Sequence, residues 1–166
     1  MPTTLLAQVD ASCGGKLAVD FNGLKNEIGL FRDAERVIIS PEFLKTLPKE
    51  QLVSGMAEMI KHAVLYGEEY LGEIAKFSPD RPDYGLLASL VETSVRIKND
   101  FAGKDPTETG IRKMLNLGHT VGHAVESRSF TQGRPLLHGE AVAIGLTCEL
   151  FLSNKVLHFP AKKMLR

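Results

Sequence analysis

The sequence changes its pattern near residue 46, and this change limits the folds open to the chain. Before it, three short apolar runs at 17–21, 27–31 and 36–39 are bounded by turn-forming residues and predict strands of a hairpin. After it, apolar residues recur at helical spacing. Because strands this short cannot bury a core of their own, the predicted fold is mainly α, with a short hairpin preceding a helical domain.

Four helices are expected in the second part of the chain. Thr46 is a suitable N-cap for the first, with Pro48 in its first turn. The others are expected over about 84–102, 112–127 and 139–154, from the recurrence of apolar residues. Since the last has apolar residues on every side, it is expected to be buried within a bundle.

Composition excludes several classes of function. The 20 basic and 20 acidic residues cancel, which argues against a nucleic-acid binder and against an anionic membrane surface as partner. Cys13 and Cys148 have no CxxC spacing, so a disulfide scaffold is not expected. The pattern instead fits a protein of the reducing cytoplasm. The N-terminus has no signal-peptide pattern, and the most apolar run, 141–152, is too short to span a bilayer.

The predicted third helix carries five polar residues whose spacing places them on one face. Two glycines lie inside this segment, each at a cost of about 1 kcal/mol relative to alanine, which is tolerable where another element must approach the backbone closely. The alternative is an ordinary amphipathic helix with a solvated polar face. The five are Arg112, Asn116, His119, His123 and Glu126, and the glycines are Gly118 and Gly122.

Histidine and carboxylate spacing indicates a metal site. A catalytic zinc typically takes three protein ligands from His and carboxylate side chains and keeps one position open. His119 and His123, at i and i+4, are both candidates, with His138 or Glu58 as the third. The HExxH motif of zinc proteases is absent. His62 and His158 remain unassigned, since a lone histidine is more often structural.

The helical pattern indicates the surroundings of two lysines, Lys98 and Lys61. Lys98 falls within the apolar stripe of the second predicted helix. A lysine is seldom buried unless it is paired, so an anion or carboxylate is its expected partner, and the alternative is a stem that extends to solvent. Glu58 and Lys61 form either part of a site or a solvated ion pair.

The Gly14-Gly15-Lys16 segment suggests a phosphate loop but does not meet its requirements. A Walker loop needs glycine where Asp10 stands and serine or threonine where Leu17 stands. No GxGxxG occurs in the sequence, so no self-contained dinucleotide fold is expected.

Six sequence blocks, taken together and in order, resemble the middle of the 3-dehydroquinate synthases. They run from end to end of the chain, and their combination is far more specific than any one of them. The blocks are PTTLLAQVDAS at 2–12, GGK at 14–16, GLKN at 23–26, FLKTLP at 43–48, LNLGHT at 115–120 and LHGEAVA at 137–143.

The resemblance implies an enzyme of the shikimate pathway. Members of this family convert a seven-carbon sugar-acid phosphate (DAHP) into 3-dehydroquinate and phosphate, as carbon-oxygen lyases. They use NAD catalytically together with a divalent metal, zinc or another such as cobalt, which polarises the reacting hydroxyl. A homodimer, a cytoplasmic location and a role in aromatic amino acid biosynthesis are implied as well.

The resemblance also assigns roles position by position. It implies the metal ligands Glu58, His119 and His138, and so places His123 outside the metal shell. It implies the catalytic residues Lys16, Lys61, His123 and Asp10, and the substrate-binding residues Asn26, Lys98, Arg112 and Asn116. On the NAD side it implies Thr3, Thr4, Lys16, Lys25, Phe43, Leu44, Lys45 and Thr46.

In this family a nucleotide-binding α/β domain precedes a helical metal domain. Residues 1–45 are therefore expected to be the C-terminal remnant of the NAD domain and 46–166 a truncated helical metal- and substrate-binding domain, so that the chain is an incomplete, inactive fragment. Three positions near the site depart from the family's usual residues, namely Cys13, Asp20 and Val121. The alternatives are another sugar phosphate cyclase and a non-catalytic helical module with a structural metal.

Overall fold

The computed structural model describes residues 1–22 and 24–160, without the side chains of Asp20, Leu24 and Lys25. Within these residues a two-stranded hairpin precedes a set of packed helices, so the mainly α fold is confirmed. The strands are β1 (Lys16–Phe21) and β2 (Leu24–Phe31), and the helices are α1 (Lys49–Tyr66), α2 (Glu68–Ile74), α3 (Tyr84–Lys104), α4 (His119–Thr131) and α5 (His138–Leu157). Shorter helical turns cover Ala7–Ala11, Pro41–Thr46 and Ile111–Asn116.

The hairpin is antiparallel, with Leu17 opposite Leu30 and Val19 opposite Ile28. A third strand over 36–39 was expected, and that prediction is wrong, because this segment joins no ladder in the described part of the chain. After β2 the chain leaves the sheet, and Ile39 packs against the helical core instead. Of this apolar run only Ile39 is partly buried on the helices, while Val37 and Ile38 are exposed.

One hydrophobic core joins the N-terminal segment to α1, α2 and α3. Side chains from before residue 46 enter it directly, because the helical turn at Ala7–Ala11 packs on α1 and α3. This packing carries the backbone next to Val9 into the interior. Polar groups beside Val9 must therefore find hydrogen-bond partners within the protein. The fully buried contributors from the first 45 residues are Leu5, Val9 and Leu44.

The start of the first long helix differs from the expectation. Thr46 ends a 3-10 turn rather than capping a helix, and α1 begins at Lys49 after Pro48. Proline is well suited to this boundary because its fixed φ and missing N–H fit the start of a helix. Sequence analysis did not anticipate α2, a seven-residue helix too short for clear periodicity, which buries Tyr70 and Ile74.

The predicted continuous helix over 112–127 is interrupted. A 3-10 turn covers Ile111–Asn116, Gly118 follows at φ +80°, and α4 begins at His119. A left-handed backbone cannot continue a right-handed helix, and glycine adopts it without steric cost. The shared helical face predicted for Arg112 and the histidines is therefore wrong, and tertiary packing brings these residues together instead.

Glycines allow α4 and α5 to pack unusually closely. A Cβ on Gly122 would lie 3.0 Å from the carbonyl oxygen of Ala141, and one on Gly145 would lie 1.8 Å from that of Gly118. The expected close approach to the backbone is thus confirmed, and its partner is α5.

The outer side of α5 differs from the prediction of burial on every side. Phe151, Leu152 and Val156 are each more than half exposed, so that prediction is wrong for the described chain. No helix within residues 1–22 and 24–160 is both long and apolar enough to cross a membrane.

Substituting Gly145 with alanine tests the close packing of α4 on α5. The added methyl meets the backbone of Gly118, so the helices must separate, and we expect Gly145→Ala to lower the free energy of unfolding by about 1–3 kcal/mol. Chemical denaturation followed by circular dichroism measures this.

Gly103→Ala in α3 is the matched control, because nothing lies within 4 Å of a Cβ there. We expect it to be neutral or stabilising by up to about 1 kcal/mol, as alanine favours helix. Equal destabilisation by the two substitutions would contradict the packing described.

Candidate metal and anion site

Polar residues from four helices and the N-terminal segment surround one cavity of about 330 Å³. The packing of Ala7–Ala11 on α3 brings in Asp10, and the two strands of the hairpin bring in Lys16 and Asn26. Most site residues predicted from the sequence line this cavity. They are Asp10, Lys16, Asn26, Lys61, Lys98, Arg112, Asn116, His119, His123 and His138.

A buried carboxylate and two imidazoles meet at one end of the cavity. Glu58 Oε1 lies 3.5 Å from Nε2 of His119 and 3.4 Å from Nε2 of His138. The opposite ring nitrogens are held in place, Nδ1 of His119 by the carbonyl of Leu117 at 3.2 Å and Nδ1 of His138 by Glu126 at 3.3 Å. This arrangement, with Nδ1 anchored and Nε2 directed inward, is typical of metal-binding histidines.

The surroundings of Glu58 fit a bound divalent cation. Its side chain is fully buried, Lys61 Nζ contacts Oε2, and within the described residues neither carboxylate oxygen completes an aligned hydrogen bond. A buried carboxylate without such bonds is costly, and a cation beside Oε1 would satisfy it. The burial of His119 lowers the pKa of its imidazole, in spite of the charge of Glu58, and so favours the neutral form that ligates metals.

A three-histidine alternative remains compatible with the geometry. Ligand nitrogens of His119, His123 and His138 all lie within 4.8 Å of one another. The ring centroids of His119 and His123 are 5.2 Å apart. Distance alone therefore does not distinguish His123 from Glu58 as the third ligand, and the choice stays a prediction.

A second cluster beside the first is neutralised by lysines rather than by a metal. Asp10, Glu58 and His62 also place ligand atoms within 4.8 Å of one another. However, Lys98 Nζ donates to Asp10 Oδ1 at 2.6 Å, and Lys61 Nζ contacts Glu58 Oε2 and lies 3.9 Å from Asp10 Oδ1. Two ammonium groups at this position repel a further cation and supply the positive charge that the buried carboxylates need.

Burial decides between the readings left open for the charged helix residues. Glu58, Lys61 and Lys98 are 0%, 1% and 8% exposed. The solvated Glu58–Lys61 pair and the solvent-directed Lys98 are therefore wrong, and the partner expected for Lys98 is Asp10.

The pKa values of the two carboxyls follow from this pairing. Burial by itself raises the pKa of Asp10, but the charges of Lys98 and Lys61 outweigh it and hold the pKa well below its usual value. Burial likewise raises the pKa of Glu58, but contact with His138 and the charge of Lys61 lower it to about 2. Both groups are thus carboxylates at neutral pH.

His62, unassigned from the sequence, is a fully buried neighbour of this charge cluster. Its Nδ1 lies 2.6 Å from Ser94 Oγ, and its Nε2 has no hydrogen-bond partner among the described residues. Burial disfavours the imidazolium, and the charge of Lys61 adds to this effect, so the pKa of His62 is lowered to about 4.

Arg112 joins the N-terminal segment to the helical part at another wall of the cavity. Its Nη2 donates to the carbonyl of Gly14 and its Nη1 to that of Pro106 at 3.0 Å, while the buried Nε has no hydrogen-bond partner among residues 1–22 and 24–160. The carboxylate of Asp105 accepts the backbone N–H of Arg112 at 3.0 Å. The predicted substrate role of Arg112 is therefore combined with a structural one.

Glu108 is a site residue that sequence analysis missed. Its carboxylate contacts Lys16 Nζ and accepts a hydrogen bond from Asn116 Nδ2 at 2.9 Å. Burial raises its pKa, but the bonds from Lys16 and Asn116 outweigh this and lower it. The pairing with Lys16 could not be found from spacing, because the two residues are distant in sequence and meet only in the fold.

The residues predicted for the NAD side are not tested by this geometry and stay predictions. Thr4 Oγ1 accepts the backbone N–H of Ala7 at 3.2 Å, and Lys45 pairs with Glu42. The side chain of Leu44 is fully buried in the core. Thr3, Phe43 and Thr46 belong to the same two segments, and the side chain of Lys25 lies outside the described residues.

Two family sequence models match the chain end to end. The 3-dehydroquinate synthase N-terminal model covers residues 1–54 and the C-terminal model covers residues 55–166. The two matches meet inside α1, and the domain boundary placed after residue 45 stays a prediction.

Curated relatives support the same grouping. A 3-dehydroquinate synthase of Parabacteroides distasonis is 49% identical over 99% of this chain and 46% of its own length. One of Leptospira interrogans is 46% identical over 93% of this chain and 43% of its own length. The chain thus spans about half the length of the curated relatives it matches.

Solved structures of sugar phosphate cyclases share the fold. The 2-epi-5-epi-valiolone synthase ValA of Streptomyces hygroscopicus subsp. jinggangensis 5008, solved with NAD+ and Zn2+, is 26% identical with a TM-score of 0.84, over 98% of this chain and 46% of ValA. A 2-deoxy-scyllo-inosose synthase in complex with carbaglucose-6-phosphate, NAD+ and Co2+ is 26% identical with a TM-score of 0.87, over 99% of this chain and 45% of that enzyme.

The lowered pKa of His62 predicts a specific loss of stability in acid. Because the folded protein binds this proton only near pH 4 and the unfolded chain near pH 6.5, the stability is fully present above pH 6.5 and decreases as the pH falls toward 4. His62→Gln should reduce this decrease by roughly 3 kcal/mol.

Urea unfolding of metal-free protein between pH 4 and 7 measures the effect. His158→Gln, at an exposed position, is the matched control. If His62→Gln and the wild type lost stability equally over this range, His62 would not be buried in its neutral form.

Proposed function

Because the chain belongs to the 3-dehydroquinate synthase family, we propose that it supplies the metal- and substrate-binding part of a 3-dehydroquinate synthase. The reaction converts DAHP to 3-dehydroquinate and phosphate in the shikimate pathway. One observation carries the proposal: Glu58, His119 and His138, from three different helices, meet at the edge of a cavity lined by cationic side chains.

Glu58, His119 and His138 are the proposed metal ligands. Two neutral imidazoles and a carboxylate suit Zn2+ with an open coordination position, and Co2+ accepts similar donors. When bound, the metal supplies Lewis acidity toward a substrate hydroxyl. Glu126 holds His138 and the carbonyl of Leu117 holds His119, so both rings are oriented before any ligand enters.

The cationic side chains of the cavity are assigned to the anionic groups of the substrate. A phosphate and a carboxylate need several charged donors in a partly dry site. Lys16, Lys98 and Arg112 supply positive charge at separate places along the cavity, and Asn26 and Asn116 supply amides for hydroxyl groups.

Proton transfer is assigned to residues beside the metal position. His123 lies with its ring 5.9 Å from that of His138, on the cavity wall. An imidazole at this place can accept and return a proton during the reaction. Lys61 and Asp10 line the same cavity, carry opposite charges 3.9 Å apart and contribute to the electrostatic field there.

NAD, a second subunit and the cellular location complete the proposal. Thr3, Thr4, Lys16, Lys25 and segment 43–46 are assigned to the NAD side, and the relation to NAD-bound cyclases supports the cofactor. A homodimer is proposed from the family. Both cysteines in the described chain are free thiols, which supports a cytoplasmic location.

A second candidate is a cyclase that acts on a different sugar phosphate. The fold shared with the inosose synthase favours it, while the higher identity to 3-dehydroquinate synthases favours DAHP. The two candidates differ in whether the substrate carries a carboxylate.

Substitution of the proposed ligands tests the metal centre. Glu58→Gln, His119→Ala and His138→Ala should each weaken Zn2+ binding by more than about 100-fold, since loss of an outer-shell partner alone costs 10–100-fold. His123→Ala should keep the wild-type affinity. Titration calorimetry measures the affinity, and circular dichroism checks that each variant is folded.

The opposite pattern, with loss on His123→Ala and retention on Glu58→Gln, would assign the metal to the three histidines. Failure of the wild-type protein to bind any divalent metal would remove the proposed function.

Ligand binding to the zinc-loaded chain distinguishes the two candidate substrates. DAHP should bind at least about 10-fold more tightly than carbaglucose-6-phosphate, because a charge-assisted hydrogen bond to its carboxylate contributes about 1.5–3 kcal/mol. Titration with inorganic phosphate measures how much the phosphate group contributes to the affinity. Equal affinities would favour the second candidate.

Turnover is a separate readout. We expect no release of phosphate from DAHP by the 166-residue chain with Zn2+ and NAD, because its sequence contains no glycine-rich dinucleotide loop. Release of phosphate at the rate of a full-length synthase would contradict this expectation.

A further inference from the structure

The helix that carries His119 lacks a cap of its own. Gly118 precedes α4 in the left-handed conformation and has no side chain to accept the first backbone N–H groups. A helix start leaves such donors unsatisfied unless another group accepts them. The N-terminus of α4 therefore depends on a partner from elsewhere in the fold.

That partner is Glu149, which lies on α5. Its Oε2 accepts the N–H of Gly118 at 2.7 Å and its Oε1 lies 3.4 Å from the N–H of Val121. These are the two donors that a local capping box satisfies. Here a single carboxylate from the neighbouring helix satisfies both, and its charge is favourable at a helix N-terminus.

The same contact sets the position of α4 along α5. The approach of Gly118 and Gly122 to α5 is close, but contacts of glycine with backbone have little directionality. The two bonds to Glu149 are directional, and His119 is the first residue after Gly118. A slip of one residue along the helix axis would move His119 by about 1.5 Å, enough to separate its Nε2 from the metal position.

We propose that Glu149 is a positioning residue for the metal centre, which holds the start of α4 so that His119 Nε2 faces Glu58 and His138. The inference rests on the proposed metal function. Glu149 is not one of the described residues that line the cavity, so it acts through His119 rather than on the substrate. Because His138 is the first residue of α5, the helix that supplies one ligand also positions the other.

Two substitutions at this position separate positioning from general stability. Glu149→Ala removes both acceptors and should weaken Zn2+ binding by about 10-fold, the lower end of the range for outer-shell partners. Glu149→Gln keeps one acceptor oxygen in a side chain of the same size, so its loss of affinity should be smaller. Thr147→Ala, exposed on the same helix, is the neutral control.

Leu87→Ala is the second control, because it removes a buried side chain of the hydrophobic core, none of whose described members lies on α4, and so destabilises the protein elsewhere. All affinities are measured by calorimetry at a temperature where circular dichroism shows each variant to be folded. Amide hydrogen exchange of Gly118 and Val121 in the metal-free protein reports directly on the two bonds, and exchange at both should accelerate in the variants of Glu149.

The outcomes are distinct. The positioning role is supported if zinc affinity is lowest in Glu149→Ala, intermediate in Glu149→Gln and highest in the wild type. Exchange at the two amides should also be faster in both variants, and the affinity of both controls should be unchanged. Wild-type affinity in a folded Glu149→Ala, or an equal loss in Leu87→Ala, overturns it. Absence of metal binding by the wild type would overturn the metal centre itself and this inference with it.

Discussion

Two carboxylates and two ammonium groups meet where the N-terminal turn joins α1 and α3, with Glu58, Lys61 and Lys98 buried and Asp10 partly exposed, and the cavity depends on their mutual neutralisation. Asp10 accepts from Lys98, while Lys61 lies between Asp10 and Glu58. Removing any one would leave an uncompensated buried charge, which typically costs 3–5 kcal/mol. The cluster therefore ties the first part of the chain to the helices and fixes the ionised state of Glu58.

The proposed metal position lies beside this arrangement. Glu58 faces the lysine cluster through Oε2 and the two imidazoles through Oε1, so one carboxylate connects the charge-balanced interior with the side that can accept a cation. The positive wall beyond it, with Lys16 held by Glu108 and Arg112 held by two backbone carbonyls, is likewise prepared by contacts within the protein. Preorganisation of this kind would favour the proposed binding of an anionic ligand.

The candidate site could be predicted from sequence to a large extent, and the reasons differ from residue to residue. Lys98 was detected because a lysine within an apolar stripe needs a partner, although the partner, Asp10, lies 88 positions away. The predicted helical face linking Arg112 to the histidines was wrong because Gly118 breaks the helix, yet the residues still share a cavity. Glu108 and Glu149 were missed, since each acts on groups that only the fold brings near.

The sequence by itself determined the class of fold, the candidate ligands and the expectation that Lys98 has an anionic partner, because these depend on local periodicity and residue chemistry. Tertiary structure alone decided which lysine pairs with which carboxylate, where α4 begins and which imidazole nitrogens face inward. These outcomes depend on contacts between distant segments, such as Gly145 on Gly118 and Glu149 on the start of α4. Their energies arise from burial and exact distance, which no spacing along the chain records.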